Sequence, residues 1–205
     1  QLKQDWSISP IRSITRNQPV TLHWLGDAQL QGQGLSKPNL LEKINTQTHA
    51  QLDEKSRQFA LEMFQKSGQL PGPYVRNILQ WYKNNEFVYT LTPGLLGENR
   101  IDEFLFKSRQ GFCEHYASSF AMLMRYVGIP ARVVIGYQGG QLALDRASWE
   151  VRQLDAHAWT EVQLNGKWQR IDPTAIIAPQ RIDAGMQNYI ENDRTILGSK
   201  EQKWK

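Results

Sequence analysis

Residues 155–173 read Asp155-Ala156-His157-Ala158-Trp159-Thr160-Glu161-Val162-Gln163-Leu164-Asn165-Gly166-Lys167-Trp168-Gln169-Arg170-Ile171-Asp172-Pro173. Two β-rich runs meet at Asn165-Gly166, the strongest short-range hairpin signal, because a type I′ turn needs positive φ at both central residues. A two-residue loop sets Leu164 opposite Lys167, and the same register carries Asp172 opposite Trp159. Side chains alternate along a strand, so His157 and Asp172 emerge on one face as diagonal neighbours, about 7–8 Å apart at Cα. A carboxylate at that spacing reaches an imidazole N–H. The hairpin thus predicts a base, His157, and the carboxylate that orients it, Asp172.

A nucleophile to match lies upstream, in Gly111-Phe112-Cys113-Glu114-His115-Tyr116-Ala117, which holds the single cysteine of the chain. Tyr116, Ala117, Phe120, Ala121, Met124 and Val127 recur at helical spacing behind it, so Cys113 falls in a helix's first turn. The positive end of the helix dipole and the unpaired amides there favour thiolate over thiol. A small core hydrophobe is the ordinary fate of a lone cysteine. Cys113 differs in having a base and an orienter predicted downstream, which completes a nucleophile–base–orienter set. The Cys113 amide itself is the expected oxyanion donor, since helix N-terminal N–H groups point outward.

These residues carry a family resemblance. Gly-x-Cys-x-x-Tyr-Ala at Gly111, then Gly128-Ile129-Pro130-Ala131-Arg132, Asp155-Ala156-His157-Ala158-Trp159 and Asp172-Pro173-Thr174, resemble the core of the transglutaminase-like superfamily. Leu95-Leu96-Gly97-Glu98, Asp102-Glu103-Phe104-Leu105-Phe106 and Arg109-Gln110-Gly111-Phe112-Cys113-Glu114-His115-Tyr116 resemble more closely the periplasmic domain of TgpA-type bacterial inner-membrane proteins. The match extends over about residues 89–180. The resemblance implies a papain-like α+β fold with the nucleophile helix packed on an antiparallel sheet. It also implies acyl transfer with Cys113 as nucleophile, His157 as base and Asp172 as orienting carboxylate. No cofactor and no metal are implied.

The chain has 205 residues, 40% hydrophobic and 21% charged, enough for one modest domain with its own core. The formal net charge of +4 is not gathered into a Lys/Arg stripe, so nucleic-acid binding has little support. No apolar run approaches the roughly 18 residues that span a bilayer, and no signal peptide opens the chain. The resemblance implies membrane helices on both sides in the parent protein, so this stretch is expected to be a soluble segment facing the periplasm. One cysteine cannot form an internal disulfide.

Three divisions are expected: an irregular N-terminal arm over 1–48, a catalytic core over 49–180 and a C-terminal extension over 181–205. The arm carries Pro10, Pro19, Pro38 and one possible strand near Val20–Leu25. Helices are expected over Asp53–Lys66, capped by Asp53 and closed by Gly68, and from Pro73 with Val75, Ile78, Leu79 and Tyr82 on one face. Phe87–Leu91 reads as a short strand, Thr92–Asn99 as a loop and Ile101–Phe106 as a helical piece. Ala131–Tyr137, Ser148–Leu154, His157–Leu164 and Lys167–Asp172 read as strands of one antiparallel sheet. A helix is expected in Ile182–Lys205.

Several neighbours admit two readings. His115 lies about 200° round the helix from Cys113, which suits a structural or groove histidine better than a second base. A metal site built from Cys113, His115, His157 and Asp172 is disfavoured, because no pair has structural zinc spacing. Asp155 either caps the His157 strand or stands solvated in a turn. Trp159 either shields the His157–Asp172 pair or is an ordinary core residue. Tyr116 and Arg132 read as packing and surface residues, and His23 and His49 as surface ones. Leu95 and Leu96 form a substrate flap or tuck into the core. The leading function is a transglutaminase-like cysteine acyltransferase on protein or peptide amides. The alternatives are a cysteine amidase or peptidase of cell-envelope peptides with the same triad, and a non-catalytic binding module.

Overall fold

The computed structural model describes residues 38–49, 51–183 and 185–186. The strand expected near Val20–Leu25 and the helix expected beyond Ile182 fall mainly outside them. Two helices come first after the short α1 (Pro38–Asn45): α2 (Glu54–Lys66) and α3 (Pro71–Asn84). The α2 helix closes on Gly68 at φ 67°, where Gln69 N–H reaches Phe64 O at 2.9 Å. Glycine has no Cβ to resist this left-handed backbone. Two helical pieces then lead to the nucleophile: α4 (Arg100–Glu103) runs into a π-helical turn over Phe104–Ser108.

Asp53 caps a helix, but not the one it precedes. Its backbone is left-handed (φ 56°) and its carboxylate accepts Ile101 N–H at 3.0 Å and Asp102 N–H at 3.1 Å, the start of α4. Asp102 returns the favour, accepting Lys55 N–H at 3.1 Å and Ser56 N–H at 2.6 Å at the start of α2, and also the Ser56 hydroxyl. Each helix's orphan amides are satisfied by the other's aspartate. Local spacing predicts a cap at Asp53; only tertiary packing decides whose amides it serves.

The central element is α5 (Cys113–Tyr126), buried on most sides. It sits between α2–α3 and the main sheet, which contains β3 (Ala131–Tyr137), β6 (Ala156–Leu164) and β7 (Lys167–Ile171), antiparallel in the order β3-β6-β7. Tyr74, Tyr82, Phe87, Phe104, Tyr116 and Phe120 fill the helical side of the core. Hydroxyls fix the height of α5 against both layers. Tyr74 donates to Leu123 O at 2.9 Å, Tyr116 to Val88 O at 2.8 Å and Thr160 to Ala117 O at 2.9 Å. Each buried polar group therefore has one backbone partner that sets register as well as energy.

The hairpin register is the one the Asn-Gly turn dictates: Leu164 pairs Lys167 and Thr160 pairs Ile171, with φ 52° at Asn165 and 74° at Gly166. One expected strand goes elsewhere. Within Ser148–Leu154, only Trp149–Glu150 (β5) is extended, and it pairs with Gln141–Leu142 (β4) in a separate ribbon. Gly139 and Gly140, both at positive φ, turn the chain away from the sheet, and Gln153–Asp155 is a 3-10 turn that re-enters it at β6. Phe87–Leu91 is extended only at Val88–Tyr89 (β1), parallel to Gln110–Gly111 (β2). The chain continues from β7 into two short helices, α6 (Thr174–Ile177) and α7 (Pro179–Asp183).

Candidate active site

Cys113 is the first residue of α5, and the strand start at His157 faces it. The β6–β7 ladder ends at Thr160–Ile171, before it reaches Ala158. The Ala158 N–H is consequently not engaged by β7 and acts on the Cys113 thiol to lower its pKa. His157 Nε2 lies 2.7 Å from Asp172 Oδ2, and Asp172 Oδ1 accepts Thr174 N–H at 3.2 Å. The other imidazole nitrogen, Nδ1, is buried and turned to the thiol without a closed hydrogen bond, yet each group perturbs the other. A loose nucleophile–base contact of this kind is common before substrate binds and tightens the pair.

The titration shifts agree with that pairing. Burial alone pushes the Cys113 thiol up, but the neighbouring His157 imidazole and Ala158 N–H, and the charges of His157 and Arg181, outweigh it, so the pKa is lowered. Burial disfavours a protonated His157, but the hydrogen bond to Asp172 and the nearby Cys113 thiol reverse the balance and the pKa is raised. Lowered thiol and raised imidazole together favour a thiolate–imidazolium pair. Cys113 is 8% exposed, which makes it a buried residue.

The supporting residues take definite places. Trp159 stacks on His157 with centroids 6.2 Å apart, while the Arg170 guanidinium covers its ring at 4.3 Å and reaches Asp172 at 3.5 Å. The indole thus forms one wall of the imidazole–carboxylate pair. Asp155 is buried and accepts Arg152 N–H at 2.9 Å, a capping role in place of the solvated turn. That bond holds its carboxyl below the usual range. His115 turns away from the thiol, its Nδ1 accepting Phe112 N–H at 3.4 Å, and burial lowers its pKa. With Leu96, Arg100, Ile101, Phe104, Glu114 and Ser118 it lines a cavity of about 310 Å³ beside the helix start. The two loop leucines part company: Leu95 is fully exposed, whereas Leu96 packs on the core. Arg132 pairs with Glu161 at 2.7 Å. Among the described residues, no three His, Cys, Asp or Glu side chains converge on a metal-sized space.

Two residues at the site escape sequence reading. Tyr89, 4% exposed, stands across β1–β2 from Gly111, two residues before the thiol. Arg181, fully buried, reaches back from α7 to donate to Ala156 O at 3.1 Å. Neither belongs to a periodic pattern or motif that announces a role, and Arg181 falls within the stretch expected to be an extension.

The comparisons with known proteins agree with this architecture. Residues 57–173, more than half of the chain, match the family described as the transglutaminase-like superfamily. The chain is 42% identical over 144 residues to a protein-glutamine gamma-glutamyltransferase of Pseudomonas aeruginosa, a match over 70% of this chain and 21% of the relative. It is 30% identical over 131 residues to the uncharacterized protein YebA of Bacillus subtilis, covering 60% of this chain and 18% of that one. The crystal structure of the periplasmic domain of TgpA from Pseudomonas aeruginosa superposes with a TM-score of 0.70 at 39% identity, over 73% of this chain and 52% of that one. The same domain bound to ethylmercury gives 0.68 at 40% identity, over 70% and 52%. The chain therefore spans about a fifth of the length of these curated relatives and about half of the crystallised domain. No helix among the described residues is long and apolar enough to cross a membrane. With its helix-borne thiol facing an antiparallel hairpin and its match from Arg57 to Pro173, the chain belongs to the transglutaminase-like superfamily.

Proposed function

We propose that this chain is a cysteine acyltransferase of the protein-glutamine gamma-glutamyltransferase type, working through a thioester on Cys113. The observation that carries the reading is the His157 ring, held by Asp172 at 2.7 Å on one side and facing the Cys113 thiol on the other. His157 takes the thiol proton, and the thiolate attacks the side-chain amide carbon of a glutamine in a protein or peptide. The C–N bond then breaks, ammonia leaves with the proton held by His157, and the acyl group remains on sulfur. A primary amine attacks the thioester, gives its proton to His157 and departs as a new amide. Water in the amine's place yields hydrolysis, the amidase outcome.

Glutamine as donor follows from the name of the Pseudomonas aeruginosa relative. A periplasmic setting, within an inner-membrane parent protein, follows from the solved periplasmic domain it resembles. Retention of a suitable residue type at all three positions favours an enzyme over a binding module. The test incubates the chain with a glutamine-containing protein and a labelled primary amine. Amine incorporation supports acyl transfer, ammonia release without incorporation supports the amidase, and neither, with the fold intact, supports a binding module.

A further inference from the structure

The main sheet has an open edge on the side of the nucleophile helix. Gln163 N–H bonds Pro130 O at 2.9 Å and Gln138 N–H bonds Asp155 O at 2.8 Å, at the two ends of the β3–β6 ladder. Antiparallel bonding alternates, so the even-numbered residues of β3 turn their backbone groups to β6 and the odd-numbered ones turn theirs outward. Arg125 Nε donates to the first outward carbonyl, Ala131 O, at 2.8 Å. Among the described residues, no hydrogen bond meets the outward groups of Val133, Ile135 and Tyr137, and no strand pairs with β3 on that side.

The side chains of the same three residues are bare. They share the sheet face of their partners Thr160, Ala158 and Ala156, the face on which α5 packs. Ala131 is buried there, whereas Val133, Ile135 and Tyr137 are 40%, 75% and 53% exposed, because α5 meets β3 near Arg125 and lies over β6 towards its start. Thr160 bonds Ala117 O, one helical turn or about 6 Å past Cys113, and Ala158 precedes Thr160 by about 7 Å. Cys113 therefore stands level with Ala158, whose partner across the ladder is Ile135. Exposed edges are commonly guarded by charge or proline, and Val133, Ile135 and Tyr137 carry neither.

We propose that this edge of β3 takes the acyl-donor chain as an added strand, which pairs its backbone with Val133, Ile135 and Tyr137 and lays apolar side chains on theirs. The inference rests on the acyl-transfer reading above and names its substrate class: a glutamine-containing polypeptide with an extended, apolar flank. An added strand lies two strand spacings, about 10 Å, from β6, a distance that about three extended residues span. The docked stretch is therefore a flank, about three residues removed from the glutamine that reaches Cys113. A second copy of this chain fits less well, because residues 133–137 offer far less than the roughly 20–30 residues a side of a stable interface.

The test measures amine incorporation into peptides whose glutamine is preceded or followed, after a spacer of about three residues, by a Val/Thr flank of about five. Carbobenzoxy-Gln-Gly, too short to reach the edge, is the reference. One flanked peptide should show a KM at least about tenfold below the reference at similar kcat, the gain expected of a few added backbone hydrogen bonds. N-methylation of alternate flank residues should abolish that gain in one phase and leave it in the other, since only every second amide faces β3. Ile135→Pro removes an outward N–H and no ladder bond, so it should abolish the gain without slowing alkylation of Cys113 by iodoacetamide. If that variant fails to fold, the methylated peptides decide the question on the wild-type chain. No gain from either flank, or a gain that survives both methylation phases or Ile135→Pro, overturns the edge assignment alone. A concentration-dependent dimer that Ile135→Pro dissolves gives the edge to a second copy and overturns it too. A wild-type chain that incorporates amine into none of the peptides overturns the acyl-transfer reading with it.

Discussion

Asp172 stands one position past the last paired residue of β7, and from there its Oδ2 meets His157 Nε2 at 2.7 Å. The ladder ends at Ile171 because Pro173 has no amide to extend it, and the strand end turns the carboxylate across to the diagonal partner. That one contact decides which imidazole nitrogen faces sulfur. With Nε2–H donated to Asp172, Nδ1 is left as the base.

Asp172→Asn retains the shape and loses the charge, so the imidazole loses its fixed tautomer. We expect kcat to fall by roughly 10²–10⁴-fold with KM little changed, measured as steady-state amine incorporation. An equal fall in kcat and rise in KM would point to a role in binding.

The pH profile follows from the two opposed shifts. The thiol, shifted down, must lose its proton, and the imidazole, shifted up, must keep its own to serve the leaving group. Acyl transfer should rise through the lowered thiol pKa and fall through the raised imidazole pKa. Asp172→Asn removes a cause of the second shift, so its alkaline limb should move to lower pH. A limb that stays in place would detach Asp172 from the titrating histidine.

Gly136 lies across β3–β6 from His157, and a Cβ there would sit 2.8 Å from the Trp159 ring. Gly136→Ala should push the indole off His157, at a cost of about 1–3 kcal/mol in denaturant unfolding, and lower kcat. Unaltered indole fluorescence together with lost activity would mean that Trp159 does not wall the pair.

The crossed caps make a stability prediction separate from the chemistry. Asp102→Ala leaves the amides of Lys55 and Ser56 without their acceptor and should cost about 0.5–2 kcal/mol. Asp53→Ala should cost a similar amount at α4, and the double variant less than the sum, because the two ends brace each other. Strict additivity in urea unfolding would show two independent caps.

The readable parts of this chain are those written in local chemistry. Asn165-Gly166 determines a register, the register brings His157 and Asp172 together, and the periodicity after Cys113 marks its helix. The separate β4–β5 ribbon was less accessible, because Trp149 and Val151 look the same whether they join a sheet or leave it. Gly139 and Gly140 provide the departure, but a glycine pair signals a turn without its direction. The crossed partners of Asp53 and Asp102, nearly fifty residues apart in sequence, depend on packing that no short window contains. Tyr89 and Arg181 are unreadable for the same reason: the partners that place them, Gly111 across β1–β2 and Ala156 O, lie more than twenty residues away in sequence.

The most direct test of the central claim is the mass of the chain caught in mid-reaction. Rapid acid quenching with a glutamine-containing peptide in excess, followed by peptide mapping, should find the peptide joined to Cys113 with the loss of ammonia. Hydroxylamine should release it, as it does thioesters, and Cys113→Ala should show neither adduct nor amine incorporation. Amine incorporation that survives in Cys113→Ala, or an adduct mapped to another residue, would contradict the account.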